Sequence, residues 1–253
     1  MSSWALITGA TSGIGWATAK ALAAQGHHLL LTGRRYERLE ALKNEIQKQH
    51  GSLEIRLACF DVSDRFEVSE FLKEQQEILP KVEILVNNAG LALGTDKMQS
   101  ANLDDWEIMI DTNIKGMLFM TRALVAEMVK KNSGHIVNLG SVAGRWTYPG
   151  GGVYCATKFA VRALSEGLRM DLLGHNIRVT NIEPGMVHTE FSEIRLKDKT
   201  AADKVYEGMK PLSSEDIAET IAWCLSRPSH VNIQELVIYP TAQAHVGQVA
   251  RKG

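Results

Sequence analysis

Short apolar runs recur along the chain, each followed by a longer stretch whose apolar positions fall three or four residues apart. The runs are "WALIT", "HLLLT", "LEIRLACF", "EILVNN", "HIVNLGS", "IRVTNIEP" and "ELVIYP". Their nearly continuous apolar character is that of strands buried on both faces, and the helical stretches between them make βαβ units. The pattern predicts a doubly wound α/β architecture: a seven-stranded parallel sheet with helices on both faces. After Arg35, Leu39, Leu42 and Ile46 stand at helical spacing among charged residues, which predicts an amphipathic helix covering one sheet face. "SSED", Ser213 to Asp216, reads as a helix start, with a serine cap and an acid three positions on. No linker, repeat or low-complexity tract breaks the order. The one long irregular segment, about 185–212, is polar and mixed; loops of that length in compact proteins are often lids, so it is the candidate substrate cover.

Composition narrows the function classes. The 253 residues are 45% hydrophobic, enough for a large core, and 28 basic against 29 acidic residues give a net charge of -1. That balance offers no global attraction for nucleic acid or an anionic membrane, so anion binding must be local. Cys59, Cys155 and Cys224 are far apart and in no metal-ligand spacing, as expected of reduced thiols and of a protein with no metal centre. "WALIT" runs straight into a glycine turn without a basic, apolar leader pattern, and no run approaches the roughly 20 apolar residues of a membrane span. A soluble, cytoplasmic protein is expected.

"TGATSGIG", Thr8 to Gly15, follows the first strand and opens the first helix. Glycines at 9, 13 and 15 allow positive φ and close backbone approach, and a helix N-terminus presents free N–H groups to a pyrophosphate. The turn thus places Gly9, Thr11, Ser12, Gly13, Ile14 and Gly15 against a dinucleotide, or else is a tight structural turn. About 20 residues past such a turn an NAD site carries an acid for the adenosine ribose. Here that position is Gly33, followed by Arg34 and Arg35. An acid would repel a 2′-phosphate, whereas guanidiniums can grip one, so NADP is the expected cofactor; the bland alternative is two solvated charges at a helix start.

Tyr154 and Lys158 are four apart at the start of a helical pattern, about one turn or ~5.4 Å apart on one face. A close ammonium and a helix N-terminus would lower the phenol from its usual ~10 toward neutral pH, although the spacing alone equally fits a surface pair. Ser141 ends the fifth run, Asn87 and Asn88 end the fourth, and Asn113 falls inside the next helix, either as a satisfied core amide or as the holder of a water near Lys158.

Together these residues resemble the short-chain dehydrogenase/reductase family over nearly the whole chain. The family pattern is met by Thr8 to Gly15, Asp61 with Val62, Asn87 to Gly90, Asn113, Ser141, Tyr154 with Lys158, and Pro184 with Gly185. The resemblance implies a single Rossmann domain over residues 1–253 and a nicotinamide-dependent oxidoreductase with a catalytic tetrad of Asn113, Ser141, Tyr154 and Lys158. Tyr154 would be the acid/base and Ser141 would hold the substrate oxygen. Lys158 would bind the nicotinamide ribose, and Asn113 would support a water-mediated proton path. Asp61 and Val62 would meet the adenine, Asn88 the cofactor, and Pro184, Gly185, Val187 and Thr189 the nicotinamide end. "NNAGLALG", "PGGGVYCATK" and "NIEPGMVHTEF" look like the branch of NADP-dependent 3-hydroxy acid dehydrogenases that oxidise serine and allo-threonine. The implied substrate is a small hydroxy acid, or the matching carbonyl compound. Arg195 is the candidate carboxylate partner or, equally, a solvated loop arginine. Rival readings are a broad carbonyl reductase or polyol dehydrogenase, and a non-catalytic NADP-sensing protein. Family habit implies a homotetramer.

Overall fold

The computed structural model describes residues 3–252; the outermost residues of the expected 1–253 span lie outside that range. Each of the seven apolar runs forms a strand: β1 Trp4–Ile7, β2 His28–Gly33, β3 Ile55–Cys59, β4 Val82–Asn87, β5 Gly134–Leu139, β6 Ile177–Pro184 and β7 Glu235–Ile238. All pair in parallel, in the order β3-β2-β1-β4-β5-β6-β7. The order reverses between β1 and β4, and the crevice at the carboxyl ends of those two strands is where doubly wound sheets bind ligands.

Alternation along the strands explains the two layers. Ala5, Ile7, Leu29 and Leu31 face one side, where they bury Leu22 of α1 (Gly13–Ala24), Leu39, Leu42 and Ile46 of α2 (Tyr36–Gln49), and a late helix. Trp4, Leu6, Leu30 and Leu85 face the other, against Phe71 of α3 (Arg65–Glu74) and Met120, Leu124 and Met128 of α5 (Met117–Lys131). Between β4 and α5 lies α4 (Leu103–Ile110), and after β5 comes the long α6 (Gly152–Asp171). The irregular 185–212 segment is partly ordered, into α7 (Phe191–Leu196) and α8 (Lys199–Lys204). Its base is stapled where Val187 bridges to Leu212 and His188 N–H bonds the Leu212 carbonyl at 2.8 Å. The late helix, α9 (Ser214–Leu225), starts on the expected capping box of Ser213 and Asp216. A short antiparallel hairpin, β8 (Gln243–His245) with β9 (Gln248–Val249), closes the chain and was not foreseen from its pattern. No helix among the described residues is long and apolar enough to cross a membrane.

Candidate active site

The glycine turn between β1 and α1 shows why these positions admit no side chain. Gly9 and Gly13 have φ of +64° and +54°, and a Cβ on Gly9 would lie 2.9 Å from the Ala89 backbone. Gly15 is required by packing: its Cβ would stand 2.4 Å from the Gly9 carbonyl oxygen, so only glycine lets the helix and the turn approach this closely. Asn88 fastens the turn from the β4 side, its Nδ2 donating to the carbonyls of Thr8 and Gly9 at 2.9 and 3.0 Å.

A cleft of about 410 Å³ opens over this turn. Ser12 makes no side-chain cap to α1, so the first-turn amides face the cleft without that partner. Thr11, Ser12, Ile14, Arg34, Arg35, Asp61 and Val62 line one end; Pro184, Gly185, Val187 and Thr189 line the other. A Cβ on Gly33 would come within 2.6 Å of Thr11 Cγ2, so an acid there would have to displace Thr11. Both arginines reach this end. Arg34 Nη1 donates to Asp61 Oδ2 at 3.1 Å, while Arg35 bonds Thr11 Oγ1, Ser12 Oγ (2.9 Å) and Glu190 Oε2 (2.9 Å). A cleft that brings the helix-start amides and two guanidiniums together at one end fits a phosphorylated dinucleotide. No metal-ligating group of three His, Cys, Asp or Glu occurs among the described residues.

Beyond the turn the cleft gathers three of the four expected residues, Ser141, Tyr154 and Lys158, while Asn113 does not line it. Ser141, two residues past β5, caps a short 3₁₀ turn, its Oγ accepting from Ala143 N–H at 3.1 Å. Tyr154 sits in the first turn of α6 and Lys158 one turn on, both buried. Asn113 lies in a π-helical turn, Asp111–Gly116, between α4 and α5; such turns often mark functional sites. Its amide grips Leu91 N–H and C=O at 2.8 Å each and donates to Thr157 Oγ1 at 3.0 Å. The side chain is thus a clamp between the β4 loop and α6 rather than a free holder of water.

The lowered phenol expected from the four-residue spacing is corrected. Burial drives Tyr154 above the usual tyrosine range, and the opposing pull of the Ser141 hydroxyl and of Arg195 does not offset it. Lys158 points its Nζ at the Leu139 carbonyl (2.7 Å), 6.0 Å from the Tyr154 ring centre, and burial brings its own pKa down to about 8. Desolvation wins because both groups sit beneath the loops that cover the cleft.

Tyr154 also borders a second hollow, of about 140 Å³, lined by Leu93, Trp106, Met109, Tyr148 and Arg195. Arg195, from α7, is far from a solvated loop arginine. Its Nη1 donates to Tyr148 OH (2.9 Å) and its Nε to the Gly94 carbonyl (3.2 Å), and its guanidinium lies 5.9 Å from the Tyr154 ring centre. Phe191, from the same helix, packs on Tyr154 with ring centres 5.6 Å apart. Sequence reasoning missed Tyr148, Phe191, Glu190 and Arg38. Only Arg38 left a signal, lying one helical turn from Arg34 and Arg35.

Comparison with known proteins agrees with this geometry. The profile of the family described as short chain dehydrogenase matches residues 3–200. The chain is 46% identical over 244 residues to the NADP-dependent 3-hydroxy acid dehydrogenase YdfG of Salmonella typhi, covering 96% of each. It is 45% identical over 246 residues to sulfoacetaldehyde reductase 2 of Chromohalobacter salexigens, again covering 96% of each. The solved closed form of a serine dehydrogenase complexed with NADP+ superposes with a TM-score of 0.91 at 45% identity, covering 99% of this chain and 100% of that one. With seven parallel strands in the doubly wound order and the glycine turn, Ser141, Tyr154 and Lys158 on one cleft, the chain belongs to the short-chain dehydrogenase/reductase family.

Proposed function

We propose that the chain is an NADP-dependent oxidoreductase interconverting a small 3-hydroxy acid of the serine, allo-threonine or 3-hydroxypropionate type with its carbonyl partner. The observation that carries this reading is that Tyr154 borders both cavities: the long cleft with arginines at its far end and the small hollow holding Arg195. The hollow, about 140 Å³, is well below the ~300–1,000 Å³ of drug-sized sites, which suits a compact substrate. The similar proteins named for 3-hydroxy acids, serine and sulfoacetaldehyde support an anionic substrate.

The nicotinamide, when bound, supplies or accepts the hydride. The substrate oxygen rests between Ser141 Oγ and the Tyr154 hydroxyl. In reduction the phenol, kept protonated by burial, donates its proton to the developing alkoxide; in oxidation Tyr154 must first release its proton to solvent, and the phenolate so formed takes the alcohol proton as the hydride leaves. Lys158, fixed on the Leu139 carbonyl, presents its ammonium to the ribose side of the cleft, and Asn113 holds the Leu91 backbone and α6 at a fixed distance. Arg195 pairs with the substrate carboxylate. Residues 185–212 serve as the lid of one Rossmann unit. The homotetramer and cytoplasmic setting belong to the same proposal, with exposed Leu118 on α5 and Phe159 and Met170 on α6 supplying apolar surface for assembly.

Initial rates with L-serine, L-allo-threonine and 3-hydroxypropionate, each with NADP+ and NAD+, test the reading beside Arg34→Ala/Arg35→Ala. A strong NADP+ preference that collapses in the double variant is expected. Equal use of NAD+ overturns the cofactor assignment, and inactivity on all three acids with intact NADP+ binding overturns the substrate class.

A further inference from the structure

Glu190 stands where the cofactor cleft meets the segment over the substrate hollow. Its Oε2 accepts from Arg35 Nη1 at 2.9 Å and its Oε1 from Arg38 Nη1, so one carboxylate spans two guanidiniums on the first turn of α2 and its approach. Burial would raise this carboxyl, but the bonds from Arg35 and Arg38 overcome it and hold it below the usual carboxylate range. Arg35 is anchored besides on Thr11 and Ser12, inside the dinucleotide turn. Two oxygens shared between two arginines reproduce the way such a cluster holds a phosphate.

The same residue begins the lid helix. Glu190 is the cap position of α7, and its carbonyl accepts from Ile194 N–H at 2.9 Å. Phe191, the next residue, packs on Tyr154, and Arg195, about one turn further, reaches Tyr148 in the substrate hollow. The ion pairs therefore tie the start of α7 to α2 across the cleft.

We propose that Glu190 is an internal stand-in for the 2′-phosphate: it occupies Arg35 and Arg38 while latching α7, and a 2′-phosphorylated adenosine takes the arginines and frees the turn that carries Phe191 and Arg195. This rests on the NADP reading above. A phosphate carries more charge and more acceptor oxygens than the carboxylate, and the two anions repel at this range, so they exchange rather than share. Cofactor binding and the substrate lid are thereby coupled through one side chain, and the coupling is reciprocal.

The test uses adenosine 2′,5′-bisphosphate, which has the 2′-phosphate and no nicotinamide, beside 5′-AMP, on wild type and Glu190→Gln. Calorimetry gives the affinities, and hydrogen exchange follows the backbone amides of residues 190–196. In wild type the bisphosphate is expected to speed exchange in this segment and 5′-AMP to leave it unchanged. Glu190→Gln should exchange fast without ligand, bind the bisphosphate about fivefold tighter, the scale of two partly exposed ion pairs, and bind 5′-AMP within about twofold of wild type. A variant that binds the bisphosphate equally or more weakly, or a wild-type segment that does not exchange faster with it, overturns the latch while leaving the NADP reading intact. Equal wild-type affinity for the two probes overturns the NADP reading itself.

Discussion

Replacing Arg195 separates a carboxylate-reading site from a merely structural arginine. The guanidinium gives one N–H to Tyr148 OH and one to the Gly94 carbonyl, and Arg195 lines the hollow beside Tyr154. A hydrogen bond to a charged group is worth about 1.5–3 kcal/mol, so losing the fork costs an acid substrate roughly 3 kcal/mol, or about 100-fold in kcat/KM. Arg195→Ala should show that fall with L-serine or 3-hydroxypropionate. With an uncharged alcohol of the same size it should show about threefold or less, the residue of looser Tyr148 and Gly94. Arg195→Lys keeps the charge and loses the planar fork, so an intermediate loss of about tenfold is expected. Most of the change belongs in KM, because the carboxylate is bound alike in the ground and transition states. Tyr148→Phe is the control: it removes the 2.9 Å bond and leaves the charge. Steady-state kinetics on the paired substrates decides the matter. An equal fall for acid and uncharged alcohol would refute carboxylate recognition and reduce Arg195 to a brace for the Tyr148 and Gly94 loops.

Two further outcomes follow from packing and burial. Gly15→Ala forces a Cβ to 2.4 Å from the Gly9 carbonyl, a backbone atom that cannot swing aside, so the turn must open; about 1–3 kcal/mol of destabilisation and loss of NADP+ affinity are expected by thermal melting and calorimetry. His135, buried in β5 against Thr180 Oγ1 at 2.8 Å, is held by burial at about 3 instead of 6.5. The unfolded chain therefore binds this proton first as pH falls, so stability present above pH 6.5 is lost at about 1.4 kcal/mol per unit toward pH 3. Urea titrations from pH 7.5 to 4.5 should show wild type losing about 2–3 kcal/mol more than His135→Gln; parallel curves would exclude a neutral buried imidazole as the cause.

What could be read from the sequence has local causes. Parallel strands covered on both faces are apolar at nearly every position, so all seven stood out, and Ser213 with Asp216 announced α9 because a capping box is a contact within four residues. The hairpin of β8 and β9 escaped because two- and three-residue strands carry too little alternation to detect. Asn113 was recognised as an odd residue for a helix, but the π-turn and the grip on Leu91 come from a partner 22 residues away. Glu190 lay unremarked for the same reason: Arg35 is 155 positions distant, and no spacing along α7 indicates which way a carboxylate at its cap will turn.

The Tyr154–Lys158 pair shows how a correct motif can carry the wrong electrostatics. Four-residue spacing does bring the two side chains to one face of α6, yet proximity on a helix says nothing of how much water reaches them. Here both are buried, and burial disfavours charge on each, raising the phenol and lowering the ammonium to about 8. The groups that pull the phenol down are Ser141 and Arg195, one fixed at the end of β5 and one carried on α7. One of the two is thus supplied by the segment after β6 and not by the helix that carries the motif. The four-residue motif is legible in the sequence, whereas the arginine that acts on its phenol comes from the segment whose pattern is least so.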